Sequence, residues 1–593
     1  YTREVFDAFY PGYGDSWPTF NGAVGMTYEQ ASARGLLTRR RDETTFTLRD
    51  AAWHHFTASV ATCKTTARHR AEKLRDYYLF YKTALAEGAQ GPIQEIILPR
   101  ADDNLNAAKL VGVLMQQGIE LKQATQAFSH RKVHNFVNEA VEEKRFPEGS
   151  YVIKMAQPQK RLIQALFEKE AKLDEKFIAK QIERRKHRLP EQFYDVTAWS
   201  IPLAYGVTVY WTGEPSRVDL VDLKEPPKVE GRVHGGKAGY AYLLKYDSNY
   251  AARALARLLS QGYRVRVAKE PFKLNGENFE RGTLVLKVAA NPSDLHDQVV
   301  QLARETSTHF YATSTGWTDE GINLGSDNVV FLKKPKVAVA YAEPTSPTSY
   351  GWIAYLLEQR YDIDFTPIRA TSLTQVDLKD YNVIILPHGA PEGYRKMLGE
   401  EGAKRLKDWV ASGGTLVAIK GAAAFATEKG IELTSATLVK DLRKLKKVED
   451  KAPGADKAEE KDHKEKEEVV PEEDRPGLVH GAALKIKLDP THFLTFGYDH
   501  FTHVLIESSY IFTPSKNGIN AGTFVEDEQD LRASGFIWDK MKKALPKNAY
   551  LVDETMGRGH VILYADDPNF RAYWDGLNRL FLNSLLFGPS LPR

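Results

Sequence analysis

The sequence predicts an α/β protein, with a duplicated α/β unit in mid-chain followed by a doubly wound parallel sheet of flavodoxin type. Two observations carry this. Residues 106–121 (NAAKLVGVLMQQGIEL) align without a gap on residues 250–265 (YAARALARLLSQGYRV), and the register continues through Ala124 with Ala268 and Phe128 with Phe272. From Lys336 onward, short apolar runs alternate with longer stretches of helical period, the pattern of parallel strands joined by crossover helices.

Each copy of the repeat reads strand, helix, glycine stop, strand, loop, strand, helix. IQEIILP and GYAYLLKY open the copies, Gly118 and Gly262 end the helices, and YVIKM and LVLKV are short strands of buried type. A second aligned block pairs Phe146 with Phe279 and Gly149 with Gly282, and between the blocks the first copy is longer by 11 residues. KRLIQALFEKE and LHDQVVQLARE close the units as helices. Such a duplication suits a ligand-binding lobe and a purely architectural repeat equally well.

In the third region KVAVAY, DIDFTPI, NVIILPHG and GTLVAIKG read as strands, and SYGWIAYLLEQR, EEGAKRLKDWVASGG and AAAFATEKG as helices. This order resembles the class I glutamine amidotransferase-like domains, whose nucleophilic cysteine sits on a sharp strand-to-helix elbow. Here the elbow is Ile419, Lys420, Gly421, Ala422, with no Cys, Ser or Thr. The resemblance therefore implies the fold without the amidase chemistry. His388, between Pro387 and Gly389 at a strand's carboxyl end, reads either as a retained ligand residue or as a satisfied loop histidine. The run 441–476 is almost devoid of apolar residues and reads as a charged surface insertion. Beyond it ALKIKLD, FLTFGYDH and THVLIESS are expected strands. The turn Asp566-Asp567-Pro568-Asn569 then leads into an amphipathic helix through Phe570, Trp574, Leu577, Leu580, Phe581 and Leu585.

At the other end of the chain, Gly12, Gly14, Gly22 and Gly25 stand among Tyr10, Tyr13, Trp17 and Tyr28, ahead of one carboxylate, Glu29. The residue pattern fits an active-site edge or an aromatic turn feeding an edge strand with Glu29 solvated. The order Tyr, Gly-rich loop, Trp, MTYE, Arg34, Gly35 resembles the closing part of the zinc carboxypeptidase (carboxypeptidase A-like) domain. By that resemblance Glu29 is the general base on zinc-bound water, Tyr10 is the phenol that closes over a peptide substrate, and Tyr13 and Arg34 are substrate-binding candidates. The family's zinc ligands, an HxxE pair and a later His, precede that Glu. The residues before Glu29 contain no His, so no metal ligand is assigned in this chain, and zinc is implied by the family only. The chain opens YTREVFDAFY, and its resemblance starts partway through a domain. The ligands are therefore expected on a preceding portion, which is also a candidate partner.

A long helical pattern follows, with Trp53, Phe56, Val60, Leu74, Tyr78 and Tyr81 on one face. Its HxxE, His69 and Glu72, lies after the base and is set aside. His130 and His134, four apart, are expected on a solvated helix face with no third ligand. Four regions result: 1–90, the carboxypeptidase-like end plus long helix; 91–231 and 232–330, the two repeats; and 331–593, the amidotransferase-like domain. The net charge of +3 on 593 residues indicates neither nucleic acid nor a membrane surface. The single cysteine, Cys63, excludes a disulfide scaffold, and no apolar run has membrane-spanning length. The expected function is a metallocarboxypeptidase-like hydrolase, secreted or periplasmic, inactive without its ligands. The alternative is a non-catalytic scaffold that binds peptide or glycan, or assembles with itself as a homo-oligomer.

Overall fold

The computed structural model describes residues 9–100, 105–445 and 470–591. It is an α/β structure in two compact units: Tyr1–Pro99, Leu114–Glu168 and Val209–Lys224 form one, and Arg100–Val113, Lys169–Thr208 and Glu225–Arg593 the other.

In the first unit the expected long helix is two helices, Leu48–Arg68 and Arg70–Gln90, broken at His69 (φ −97°, ψ 20°). A capping box starts the first: the Thr47 hydroxyl accepts from the Asp50 N–H, and the Asp50 carboxylate accepts from the Thr47 N–H at 2.9 Å. No residue of this helix is buried, and the second buries only Ala84 and Gly88. Trp53, Phe56, Leu74 and Tyr78 are exposed. The helical period predicted one continuous helix and could not say where it breaks or whether anything covers its apolar residues. The unit's seven-stranded sheet runs in the order Val141–Phe146, Phe128–Asn135, Tyr210–Thr212, Glu95–Leu98, Tyr151–Lys154, Lys122–Ala124, Leu220–Asp222.

The second repeat builds a six-stranded sheet in the other unit. Its three central strands, Ala241–Leu244, Leu284–Lys287 and Arg266–Ala268, stand in the same order as Glu95–Leu98, Tyr151–Lys154 and Lys122–Ala124. Residues paired by the sequence alignment fill equivalent places in the two cores. Ala124, Phe128, Phe146 and Val152 cluster in one, and Ala268, Phe272, Phe279 and Val285 in the other. The phenylalanine pairs stack alike, with ring centroids 5.1 Å apart for Phe128–Phe146 and 5.0 Å for Phe272–Phe279. The extra residues of the first copy lengthen the hairpin Phe128–Asn135/Val141–Phe146 relative to Phe272–Leu274/Glu277–Phe279. His130 and His134 lie on that hairpin, so the helix expected for them is a strand. His130 is buried with its Nε2 3.1 Å from Thr212 Oγ1, and the His134 ring stacks on Trp211 at 3.7 Å.

The C-terminal region forms a ten-stranded sheet. Phe365–Arg369, Val337–Tyr341, Val383–Leu386, Thr415–Ile419 and Gly559–Tyr564 are parallel neighbours in that order. In chain order this is 2-1-3-4-5, the flavodoxin-type doubly wound arrangement. Ala549–Met556, Ile519–Phe524, Ala482–Leu488 and Phe501–Ile506 extend it antiparallel. Two elements differ from expectation. FLTFGYDH is not a strand but a loop containing the 3-10 turn Phe493–Thr495, with Gly497 at φ 80°. The closing helix spans only Asn578–Leu586 and is buried on nearly every side, so it is a core helix and not an amphipathic cap. Of the charged run 441–476, residues 446–469 lie outside the described residues.

Candidate functional site

The carboxyl ends of the parallel strands converge on Lys420. It joins the strand Thr415–Ile419 to the short helix Gly421–Ala426 with φ 54° and ψ −107°, a conformation that L residues avoid and that costs of order 1–3 kcal/mol. Gly421 makes the turn possible: a Cβ there would lie 1.9 Å from the Gly389 carbonyl oxygen. The Lys420 N–H donates to the Tyr564 carbonyl at 2.8 Å, and its own carbonyl accepts from the Ala424 N–H at 2.9 Å. The elbow is therefore pinned to the neighbouring strand and to its own helix.

The Lys420 side chain is only 7% exposed, and its Nζ lies 2.6 Å from Glu507 Oε1 and 3.0 Å from Asp566 Oδ1. Asp566 also accepts the backbone N–H of Glu507 (2.8 Å) and of Asp567 (2.9 Å). The Asp567 carboxylate accepts the Ser349 hydroxyl and the Asn569 N–H. Ser349 Oγ in turn accepts the His388 N–H at 3.1 Å, and His388 Nδ1 accepts the Gly421 N–H at 3.3 Å. One polar chain thus ties together the ends of Val383–Leu386, Thr415–Ile419, Phe501–Ile506 and Gly559–Tyr564.

The charges follow from burial and proximity. Burial opposes the Lys420 ammonium, but Asp566 and Glu507 outweigh it and hold the amine above the usual lysine range. Burial pushes Glu507 up, with Lys420 opposing. Burial, reinforced by Lys420, brings His388 down to about 4. Burial pushes Asp567 up to about 6, against the Ser349 hydrogen bond. At neutral pH the elbow therefore carries an ammonium with no lone pair, beside a neutral imidazole whose Nδ1 is already engaged. An acyl-transfer nucleophile needs the opposite, a deprotonated or base-activated atom.

The stretch at residues 10–35 forms no strand before Leu37. It closes on itself at Gly25, where a Cβ would meet the Asp15 carbonyl oxygen at 1.7 Å, and the Thr27 hydroxyl donates to Asp15 at 2.7 Å. Tyr10 and Tyr13 are half-buried and meet edge to face, with centroids 5.3 Å apart. Glu29 and Arg34 are exposed. Beside Glu29 in sequence, Gln30 pairs with His54 at 2.6 Å. The implied zinc finds no fitting set of donors: among the described residues no three His, Cys, Asp or Glu side chains are grouped to hold a metal ion. His69 and Glu72 pair with each other at 2.9 Å, and Cys63 is exposed.

Glu507 and Ser349 were not singled out from sequence, and Asp566 and Asp567 were read only as a turn. A signal existed for the acidic three: LIESS and YADDP each place carboxylates directly after an apolar strand, where a doubly wound sheet gathers its polar groups. What sequence could not supply was the antiparallel extension that brings Glu507 back to the elbow.

No protein-family model matches the sequence, and no curated protein matches it. Solved structures do. A putative GMP synthase component from Thermoplasma acidophilum matches over 42% of this chain and 94% of its own, at 12% identity and TM-score 0.27. A glutamine amidotransferase from Thermotoga maritima matches over 42% and 96%, at 8% identity and TM-score 0.25. A putative ThuA-like protein from Parabacteroides merdae matches over 43% and 90%, at 13% identity and TM-score 0.28. Likenesses at these TM-scores carry no weight for function, and the fold class rests on the strand order given above. Among the described residues no helix is long and apolar enough to cross a membrane.

Proposed function

We propose that this chain is a non-catalytic binding or scaffold module whose amidotransferase-like region keeps the elbow and has lost the reaction. The observation that carries this is Lys420, on the strand-to-helix elbow and ion-paired to Glu507 and Asp566. Buried ion pairs fix geometry more than they add stability, and this one locks the strand ends where a substrate would enter. The test is to assay the chain for ammonia release from glutamine and for release of carboxyl-terminal residues from a peptide panel. Neither is expected above the blank. Turnover of glutamine that disappears in Lys420→Ala, with the fold intact by circular dichroism, would overturn the reading.

A second reading is a zinc carboxypeptidase-like hydrolase, secreted or periplasmic, with Glu29 as base and Tyr10 as loop acid. It is favoured by the exposure of Val24, Met26 and Tyr28 around Glu29, which offers apolar surface beside a solvent-facing carboxylate. On this reading zinc and a peptide substrate meet Glu29 with ligands that the described residues do not provide. Wherever peptide hydrolysis is found, Glu29→Gln is expected to leave zinc and substrate binding nearly unchanged and to reduce turnover about 10²- to 10⁴-fold.

A further inference from the structure

Away from the elbow, the second unit contains a cavity of about 210 Å³. Its walls come from the loop that replaced an expected strand (His492, Phe493, Phe496), from Ile519 at the start of Ile519–Phe524, from Asp553 and His560 on two neighbouring strands, and from Leu591. Lys269 and Glu270, just beyond the strand Arg266–Ala268, line it as well. Gly518 holds the loop close to the sheet, since a Cβ there would meet the Asp553 carbonyl oxygen at 2.4 Å. Strands therefore supply one wall, through Ile519, Asp553 and His560, and loops supply the rest.

The polar groups sort into those already engaged and those free. Asp553 lies 3.0 Å from His560 Nδ1 and 3.1 Å from His492 Nε2. His560 Nε2 faces the Leu591 carbonyl at 2.8 Å. Both His560 nitrogens thus face acceptors, so this ring donates twice and is an imidazolium balanced by the Asp553 carboxylate. His492 is used at both ends too, its Nδ1 accepting the Leu494 N–H. Glu270 is paired with Arg281. Among the described residues nothing pairs with the Lys269 ammonium, and Phe493, Phe496, Ile519 and Leu591 supply apolar surface. The cavity therefore presents one unbalanced positive charge beside a largely apolar lining.

We infer that this cavity is a binding site for a small amphipathic carboxylate, its aromatic or branched apolar body against Phe493, Phe496, Ile519 and Leu591 and its carboxylate on Lys269. The site stands apart from the elbow, so it holds whether or not the elbow is inert. Calorimetric titration of the full chain with phenylacetate and with phenylacetamide tests it. Phenylacetate is expected to bind one to one and at least about tenfold more tightly than the amide, as a charge-assisted contact implies. Lys269→Ala, at the cavity's rim, should remove that preference without affecting the fold, and Ile519→Trp should block both probes by filling the cavity. Absence of saturable binding by phenylacetate, equal affinity for acid and amide, or phenylacetate binding unchanged in Lys269→Ala would each overturn the proposal.

Discussion

Two opposed effects meet in Lys420. Its backbone is strained, and its ammonium satisfies two buried carboxylates. Lys420→Met keeps the stem and removes the charge, leaving Glu507 and Asp566 without the ammonium that pairs them. Denaturant unfolding should report a loss of about 3–5 kcal/mol, recovered in large part when Glu507→Gln and Asp566→Asn are added. Lys420→Gly should be less damaging than Lys420→Ala by about 1–2 kcal/mol, since only glycine relieves the φ of 54°. His503 offers a separate test on a single side chain. Among the described residues its Nε2 is buried without a partner, and burial, with Lys485 contributing, brings it down to about 4. A histidine depressed in the fold takes up its proton only in the unfolded chain as pH falls from about 6.5 to about 4, so stability declines across that window. The difference amounts to about 3 kcal/mol. His503→Gln should flatten this part of the pH–stability curve, and an unchanged slope would show that His503 titrates normally. The position of Glu507 after an apolar strand was a signal in the sequence, but its pairing with Lys420 and the burial of His503 were not legible, because burial and long-range pairing are properties of the folded sheet.

Among the elements, the repeat and the parallel strands were legible and their surroundings were not. The alignment of Phe128 with Phe272 and of Phe146 with Phe279 marked a repeat, and the structure shows that each copy stacks its two phenylalanines, which the alignment alone did not say. Apolar runs such as VIIL and TLVAI formed fully buried strands. FLTFGYDH failed as a strand because its phenylalanines sit on a turn that packs inward, and the final helix failed as amphipathic because its polar residues Asn583 and Ser584 are buried as well. His130 and His134 show the limit of spacing arguments: four residues apart suits a helix face, but a strand with an irregular register holds them too. The helix Leu48–Arg68 buries nothing, whereas Asn249–Ser260 buries eight of its residues. Elements with little burial open at low free energy. Hydrogen exchange should therefore be complete in Leu48–Arg68 orders of magnitude before Asn249–Ser260. Comparable protection in the two would mean that another surface covers the first helix in solution.

For the whole molecule, the two ends of the chain call for separate tests. The strand-to-helix elbow at Lys420 is strained and carries an ion-paired lysine. The Glu29 segment is present in sequence and carries no metal-binding set among the described residues. Metal analysis of the dialysed chain is accordingly expected to find less than one zinc per molecule, and a tightly held zinc lost in His69→Ala would assign the helical pair His69 and Glu72 to metal binding. The non-catalytic reading requires Lys420 to be a permanently charged plug and not a latent nucleophile. Heteronuclear NMR of the Lys420 Nζ against pH reads that charge itself. An ammonium that persists above the ordinary lysine midpoint of about 10.4 is expected. A midpoint well below that value, near neutrality, would mean a free amine at the elbow, and would contradict the non-catalytic reading.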